Sequence, residues 1–171
     1  MAKLTFHSII APTHDHLSAI GRVAVLWTFL EKNIESLVWE LAPLKQLRAQ
    51  AVTTHLSNTI LIDISKSLAH EVLREKELEM RLQKQLDHIN NTLRPKRNKV
   101  VHGIWGPTAT ADKIALIETT ARGIVKFKVG EEMTVEDILK IAAEIDQAIF
   151  DLSTLTFEIS RYLGQITTIH V

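Results

Sequence analysis

The stretch Thr13–Pro43, THDHLSAIGRVAVLWTFLEKNIESLVWELAP, decides the fold class. Leu17, Ile20, Ala24, Trp27, Ile34, Val38 and Leu41 recur at alternating spacings of three and four, and Glu31 fills the one missing step. That period belongs to a helix, and Val23, Leu30 and Leu37 widen the seam into a broad apolar face. The spacing predicts a helix from about Thr13–Asp15 to Leu41, with Asp15 as its N-cap and Pro43 as its stop. About 28 residues of helix span roughly 42 Å. A face this wide needs more than one neighbour.

Working outward, residues 1–12 read as an extended lead-in. A second helix is predicted from Leu44 or Ala51 to Leu73, with Leu56, Ile60, Ile64 and Leu68 every four residues and Leu61 alongside. Residues 71–81 are densely charged with alternating signs, the pattern of a solvated turn and helix start. A third helix begins near Glu77 and carries Leu82, Leu86, Ile89, Leu93, Val100 and Ile104 on one stripe. Pro95 interrupts it and predicts a bend near Leu93, and Gly103 and Pro107 predict its end. Between 108 and 130, Ile114, Leu116, Ile124, Val125, Phe127 and Val129 lie in short β-prone runs around Thr119–Gly123, the signature of a β-hairpin. The last helix starts at Thr134, where Thr134-Val135-Glu136-Asp137 has capping-box spacing. Its stripe is Ile138, Ile141, Ile145, Ile149, Leu152, Leu155, Ile159 and Leu163. The fold class is therefore mainly α: an up-and-down bundle of four to five helices with a small β-hairpin before the last, in one domain over residues 1–171.

Twenty basic and twenty acidic residues give a formal net charge of zero. That balance argues against a broad cationic surface for a long nucleic acid, while leaving room for a local patch. With no cysteine there is no disulfide, zinc–thiolate or thiol nucleophile. No apolar run approaches the length of a membrane span, and the first residues lack a signal-peptide pattern. The expectation is a cytoplasmic protein without membrane attachment. His14-Asp15-His16 has too little around it for a metal site, and no glycine spacing builds a phosphate loop. Neither a metal nor a cofactor is expected.

The chemistry concentrates in Arg97-Asn98-Lys99-Val100-Val101-His102-Gly103-Ile104-Trp105. An arginine keeps its charge and grips phosphate oxygens, and a histidine exchanges protons near neutrality. On a straight helix Asn98 and His102 share a face with Arg94. Arg97 lies about 140° from His102, so one straight helix does not bring those two together. Either a Pro95 bend or terminal loosening re-aims them, or two copies of the helix meet in a dimer. An Arg and a His in such places also serve as an ordinary flank residue and a helix-end histidine.

Arg97-Asn98-x-x-x-His102 resembles the R-x(4–6)-H signature of the HEPN superfamily. The order of helices, motif helix, hairpin and helix resembles that family over most of the chain. The resemblance implies a metal-independent endoribonuclease acting as a homodimer, with a composite cleft and the motif helix at or near the interface. It implies RNA as substrate and, in a toxin–antitoxin setting, an antitoxin-type protein partner. In its terms the ribose 2′-hydroxyl attacks the adjacent phosphate. His102 is then general base or acid, its unperturbed pKa of about 6.5 suiting that work. Arg97 stabilises charge on the phosphate and Asn98 orients it or the histidine. Arg94, Lys96 and Lys99 are substrate-binding candidates by charge, and Trp105 by stacking on a base; a buried structural tryptophan is the plainer reading of Trp105. In one toxin group the motif continues to a tyrosine two residues past the histidine. Ile104 stands there, and Tyr162 is far away, so that group's partner mechanism is not expected. The competing reading is a non-catalytic helical dimerisation or binding module of the same fold.

Overall fold

A computed structural model describes residues 12–42, 44, 46–110, 112–120 and 126–169. The chain order is α1 (His14–Leu41), α2 (Gln46–Thr53), α3 (Asn58–Val72), α4 (Lys76–His88), a π-helical turn (Ile89–Leu93), α5 (Arg94–His102), β1 (Ile104–Pro107), β2 (Lys113–Thr120), β3 (Lys126–Thr134) and α6 (Val135–Ile169). The expected helical bundle with a small sheet before the last helix is what the chain forms. The expected lead-in up to residue 11, together with Ile124 and Val125, lies outside the described residues.

The buried face of α1 is centred on Val23, Trp27, Leu30, Ile34, Leu37 and Leu41. The predicted seam ran from Leu17 through Ala24 to Leu41, but Leu17 is exposed and the line is rotated toward the residues first taken as its extension. The reason is packing on two sides: α6 and α3 both lie against α1, so its face is wider than a heptad seam. Thr13, not Asp15, is the N-cap; its Oγ1 accepts the His16 backbone N–H at 3.4 Å.

The second predicted helix is two helices. Thr53 closes α2 by donating its hydroxyl proton to the Ala49 carbonyl or the Glu35 carboxylate. Ser57 then opens α3, its Oγ accepting from the Ile60 N–H. Two hydroxyl residues with local backbone partners divide what reads as one apolar period. Ile60, expected inside, is exposed, while Leu61, Ile62 and Ala69 are buried.

Around Pro95 the helix continues. The Arg94 N–H bonds the Ile89 carbonyl, five residues back, and this wider turn accepts a proline that has no N–H to give. Leu82, Leu86, Ile89, Leu93 and Val100 stay on one buried line through it. Ile104 leaves that line: it belongs to β1 and is exposed. Gly103 ends α5 without left-handed backbone (φ −66°, ψ 145°). Glycine is needed for space, because a Cβ there would run into the Lys99 carbonyl oxygen and Leu116 Cδ1.

The sheet has three antiparallel strands in the order β1-β2-β3, with Trp105 opposite Leu116 and Ile117 opposite Val129. The short β1 was not legible as a strand. At Thr134 the capping box forms as read: Thr134 N–H donates to Asp137 Oδ2 and Asp137 N–H to Thr134 Oγ1, both at 3.1 Å. The Thr134 N–H and hydroxyl, both donating to Asp137 Oδ2, hold that carboxyl below the usual range, against a smaller opposing effect of burial. Polar side-chain pairs between helices give their directions. Lys66–Asp87 and His70–Glu79 set α3 and α4 antiparallel. Lys96–Glu144 and Arg81–Glu158 do the same for α4–α5 and α6. α1 runs parallel to α6: Asn33 faces Ser153, and the first turn of α1 lies beside Val135 and Leu139.

Candidate functional site

The site is built on α5. Val100 is fully buried and anchors that helix on the core. Seen from it, Arg97 flanks the buried line, while Asn98 and His102 face outward. The end of the helix is pinned by Trp105, whose indole N–H donates to the Val100 carbonyl at 3.1 Å. Trp105 is half-buried against the core, so its ring is partly committed to packing.

Arg97 and His102 meet within one chain. Arg97 Nη1 lies 2.9 Å from His102 Nε2 and 2.9 Å from Asn98 Oδ1. The expectation that one helix keeps the pair apart fails, and neither expected remedy is the cause. The π turn lies before Arg94, so it cannot change the bearing of Arg97 relative to His102, and α5 stays helical to its last residue. The arginine side chain itself is long enough to swing across the helix surface to the histidine. Since the guanidinium has only donors, Nε2 is the acceptor and the imidazole proton sits on Nδ1.

The guanidinium is placed from below by α1. Its Cζ lies 5.5 Å from the centroid of the Trp27 ring, a cation–π arrangement. Trp27 is buried, and its indole N–H donates to Glu31 Oε1 at 2.7 Å. Arg97 Nε is buried without a hydrogen-bond partner, and no carboxylate pairs with Arg97 among the described residues. The neighbouring cations are engaged elsewhere. Lys96 pairs with Glu144 at 2.5 Å, Lys99 pairs with Glu131, and Arg94 donates to the Thr59 hydroxyl. Of the four basic side chains expected to bind substrate or phosphate, the structure gathers only Arg97 with Asn98 and His102. Lys96 and Lys99 are neutralised by strand and helix carboxylates.

Sequence reasoning missed Trp27 and Glu31. They sit four apart on α1, a spacing that allows their bond, but their place under Arg97 depends on how α1 packs on α5. A second polar cluster lies on the far side of Glu31. The buried Glu35 accepts from Lys32 at 2.6 Å and Thr53 at 2.7 Å, and Trp39 donates its indole proton to Thr53 Oγ1. Burial pushes the Glu35 carboxyl up, but the hydrogen bonds from Lys32 and Thr53 and the Lys32 charge outweigh it and hold the group below its ordinary range.

Among the described residues, no cluster of three or more histidines and acids has the arrangement to hold a metal ion. No described helix is long and apolar enough to cross a membrane. No family model, curated protein sequence or solved structure matches the chain.

Proposed function

We propose that this chain is a metal-independent endoribonuclease of HEPN type, with Arg97, Asn98 and His102 as its working residues. The observation that carries the reading is the contact between the Arg97 guanidinium and His102 Nε2, made by an arginine that pairs with no carboxylate among the described residues. A free guanidinium next to an imidazole is suited to one chemistry above others: holding an anion while moving a proton beside it.

The resting contact also suggests an order of events. In the free protein Arg97 occupies the Nε2 lone pair. A phosphate diester offers charged oxygens, a stronger acceptor than a neutral imidazole. Binding draws the guanidinium onto the phosphate and frees Nε2. The ribose 2′-oxygen then attacks phosphorus while its proton passes to Nε2. The bond from phosphorus to the 5′-oxygen breaks, that oxygen takes a proton from solvent, and a 2′,3′-cyclic phosphate remains. Arg97 stabilises the added charge on the phosphoryl oxygens, and Asn98, bonded to Arg97, orients it.

The test is cleavage of a single-stranded RNA with EDTA present, comparing the wild type with His102→Ala. Loss of cleavage in the variant, with an unchanged melting temperature, supports the proposal. Intact RNA with the wild-type protein removes it.

A homodimer belongs to the same proposal. It is not needed to bring Arg97 to His102, since the pair forms within one chain. Its support is an exposed apolar stripe along the α1–α6 seam. Asn33 bonds Ser153 across that seam at 2.8 Å, which puts Phe29 about level with Phe150; Val25 lies one turn before Phe29 and Phe157 about two turns after Phe150. All four are more than half exposed. The same stripe supports the second reading, a binding module whose motif serves only structure.

A further inference from the structure

We infer that Trp27 is a positioning residue for Arg97: the indole face seats the guanidinium, and the indole N–H keeps the Glu31 carboxylate off it. The inference rests on the ribonuclease reading above and concerns how that site stays charged. Three observations combine. The guanidinium lies 5.5 Å from the Trp27 ring centroid. The Trp27 N–H takes Glu31 Oε1 at 2.7 Å. No ion pair forms between Glu31 and Arg97 although both contact the same ring.

Physically, an arginine near a carboxylate makes a bidentate pair, which fixes it but cancels its charge for any incoming phosphate. The π face of an indole attracts the cation without neutralising it and adds no competing acceptor. Glu31 is the nearest acid to this arrangement on α1, and the indole N–H gives it another partner. Trp27 thus does two things at once: phenylalanine has a face without a donor, histidine a smaller face that itself gains charge, and tyrosine carries its O–H donor at the far tip of the ring.

The consequence is a rescue that a merely structural tryptophan would not show. Trp27→Phe keeps a ring under Arg97 but frees Glu31 to pair with the guanidinium. Its kcat/KM for RNA cleavage in EDTA should fall about tenfold. Adding Glu31→Gln removes the competing charge, and the double variant should return to within about threefold of wild type. Glu31→Gln alone keeps an acceptor for the indole and should stay within about threefold. A double variant no better than Trp27→Phe overturns the inference.

Nuclear magnetic resonance gives a reading that needs no catalysis. In the wild type the Arg97 side-chain N–H signals should be shifted upfield by the ring, and the shift should vanish in Trp27→Leu. Should that variant fail to fold, the wild-type shift alone decides, and its absence overturns the inference. An upfield shift in a wild type that leaves RNA intact supports the seating of Arg97 and removes the ribonuclease reading instead.

Discussion

Arg97 Nη1 and His102 Nε2 stand 2.9 Å apart, although their positions on α5 differ by five residues and point about 140° apart. The arginine closes that gap because its guanidinium is held on one face by Trp27 and at Nη1 by Asn98 and His102. The pair is thus a tertiary feature, fixed by the packing of α1 on α5, and not a property of the motif helix alone.

Removing either partner should separate chemistry from stability. Arg97→Ala and His102→Ala are each expected to lower metal-free RNA cleavage by about a hundredfold or more, since one holds charge and the other moves a proton. His102 is exposed, so its loss should leave the melting temperature nearly unchanged. Arg97 also covers Trp27, so its loss should cost about 1 kcal/mol. Asn98→Ala should be milder than either. Cleavage time courses beside thermal melts of the three variants check this; equal activity losses paired with large stability losses would point to a structural motif.

Gly103 joins the motif helix to the sheet, and it has no room for a side chain. The added methyl of Gly103→Ala would meet the Lys99 carbonyl and Leu116 Cδ1, one of them backbone that cannot step aside. The expected cost is about 1–3 kcal/mol, read from urea denaturation. The α5–β1 junction should shift with it and carry His102 away from Arg97, so cleavage should fall as well.

The helical stripes of α4 and α6 were legible in the sequence because each repeats a strong apolar period along the helix. The capping box at Thr134 was legible because its bonds span three residues. The rotation of α1, the break at Thr53–Ser57 and the strand β1 were not. The first and last depend on partners distant in sequence, and at the break the local bonds of Thr53 and Ser57 act together with the distant Glu35. Pro95 could be read as a disturbance, but the π turn that absorbs it lies before the proline and has no residue signature of its own. The motif residues could be named from the sequence; their meeting, and the tryptophan beneath them, could not.

Glu35 makes stability depend on pH in a stated direction. Its folded carboxyl titrates below its unfolded value because Lys32 and Thr53 outweigh the effect of burial. A group depressed in this way adds stability at pH values above its unfolded titration, and that contribution is lost as pH falls through the folded value. Glu35→Gln should therefore be less stable than wild type by roughly 1–2 kcal/mol at neutral pH. The gap should close in acid, below about pH 4. Parallel thermal melts from pH 7 to pH 3 measure it, and a gap that widens in acid would show that Glu35 is not the paired carboxylate described.

The last prediction concerns association. Four large apolar side chains, Val25, Phe29, Phe150 and Phe157, are exposed along one seam between parallel helices. Scattered exposed apolar residues are ordinary, but three exposed phenylalanines on two adjoining helices are the kind of surface that a second molecule covers. Three exposed phenylalanines supply much of the apolar area from which interface centres are made. Wild-type protein should therefore sediment as a dimer at micromolar concentration. Phe29→Ser with Phe150→Ser should shift it to monomer while leaving circular dichroism unchanged, because neither ring contributes to the core. Each chain carries its own Arg97–His102 contact, so the monomeric variant should keep the upfield-shifted Arg97 signals. Cleavage that disappears on dissociation, with those signals intact, would show that the second chain supplies a part of the cleft beyond this pair. A wild type that stays monomeric at high concentration would leave the stripe to a different protein.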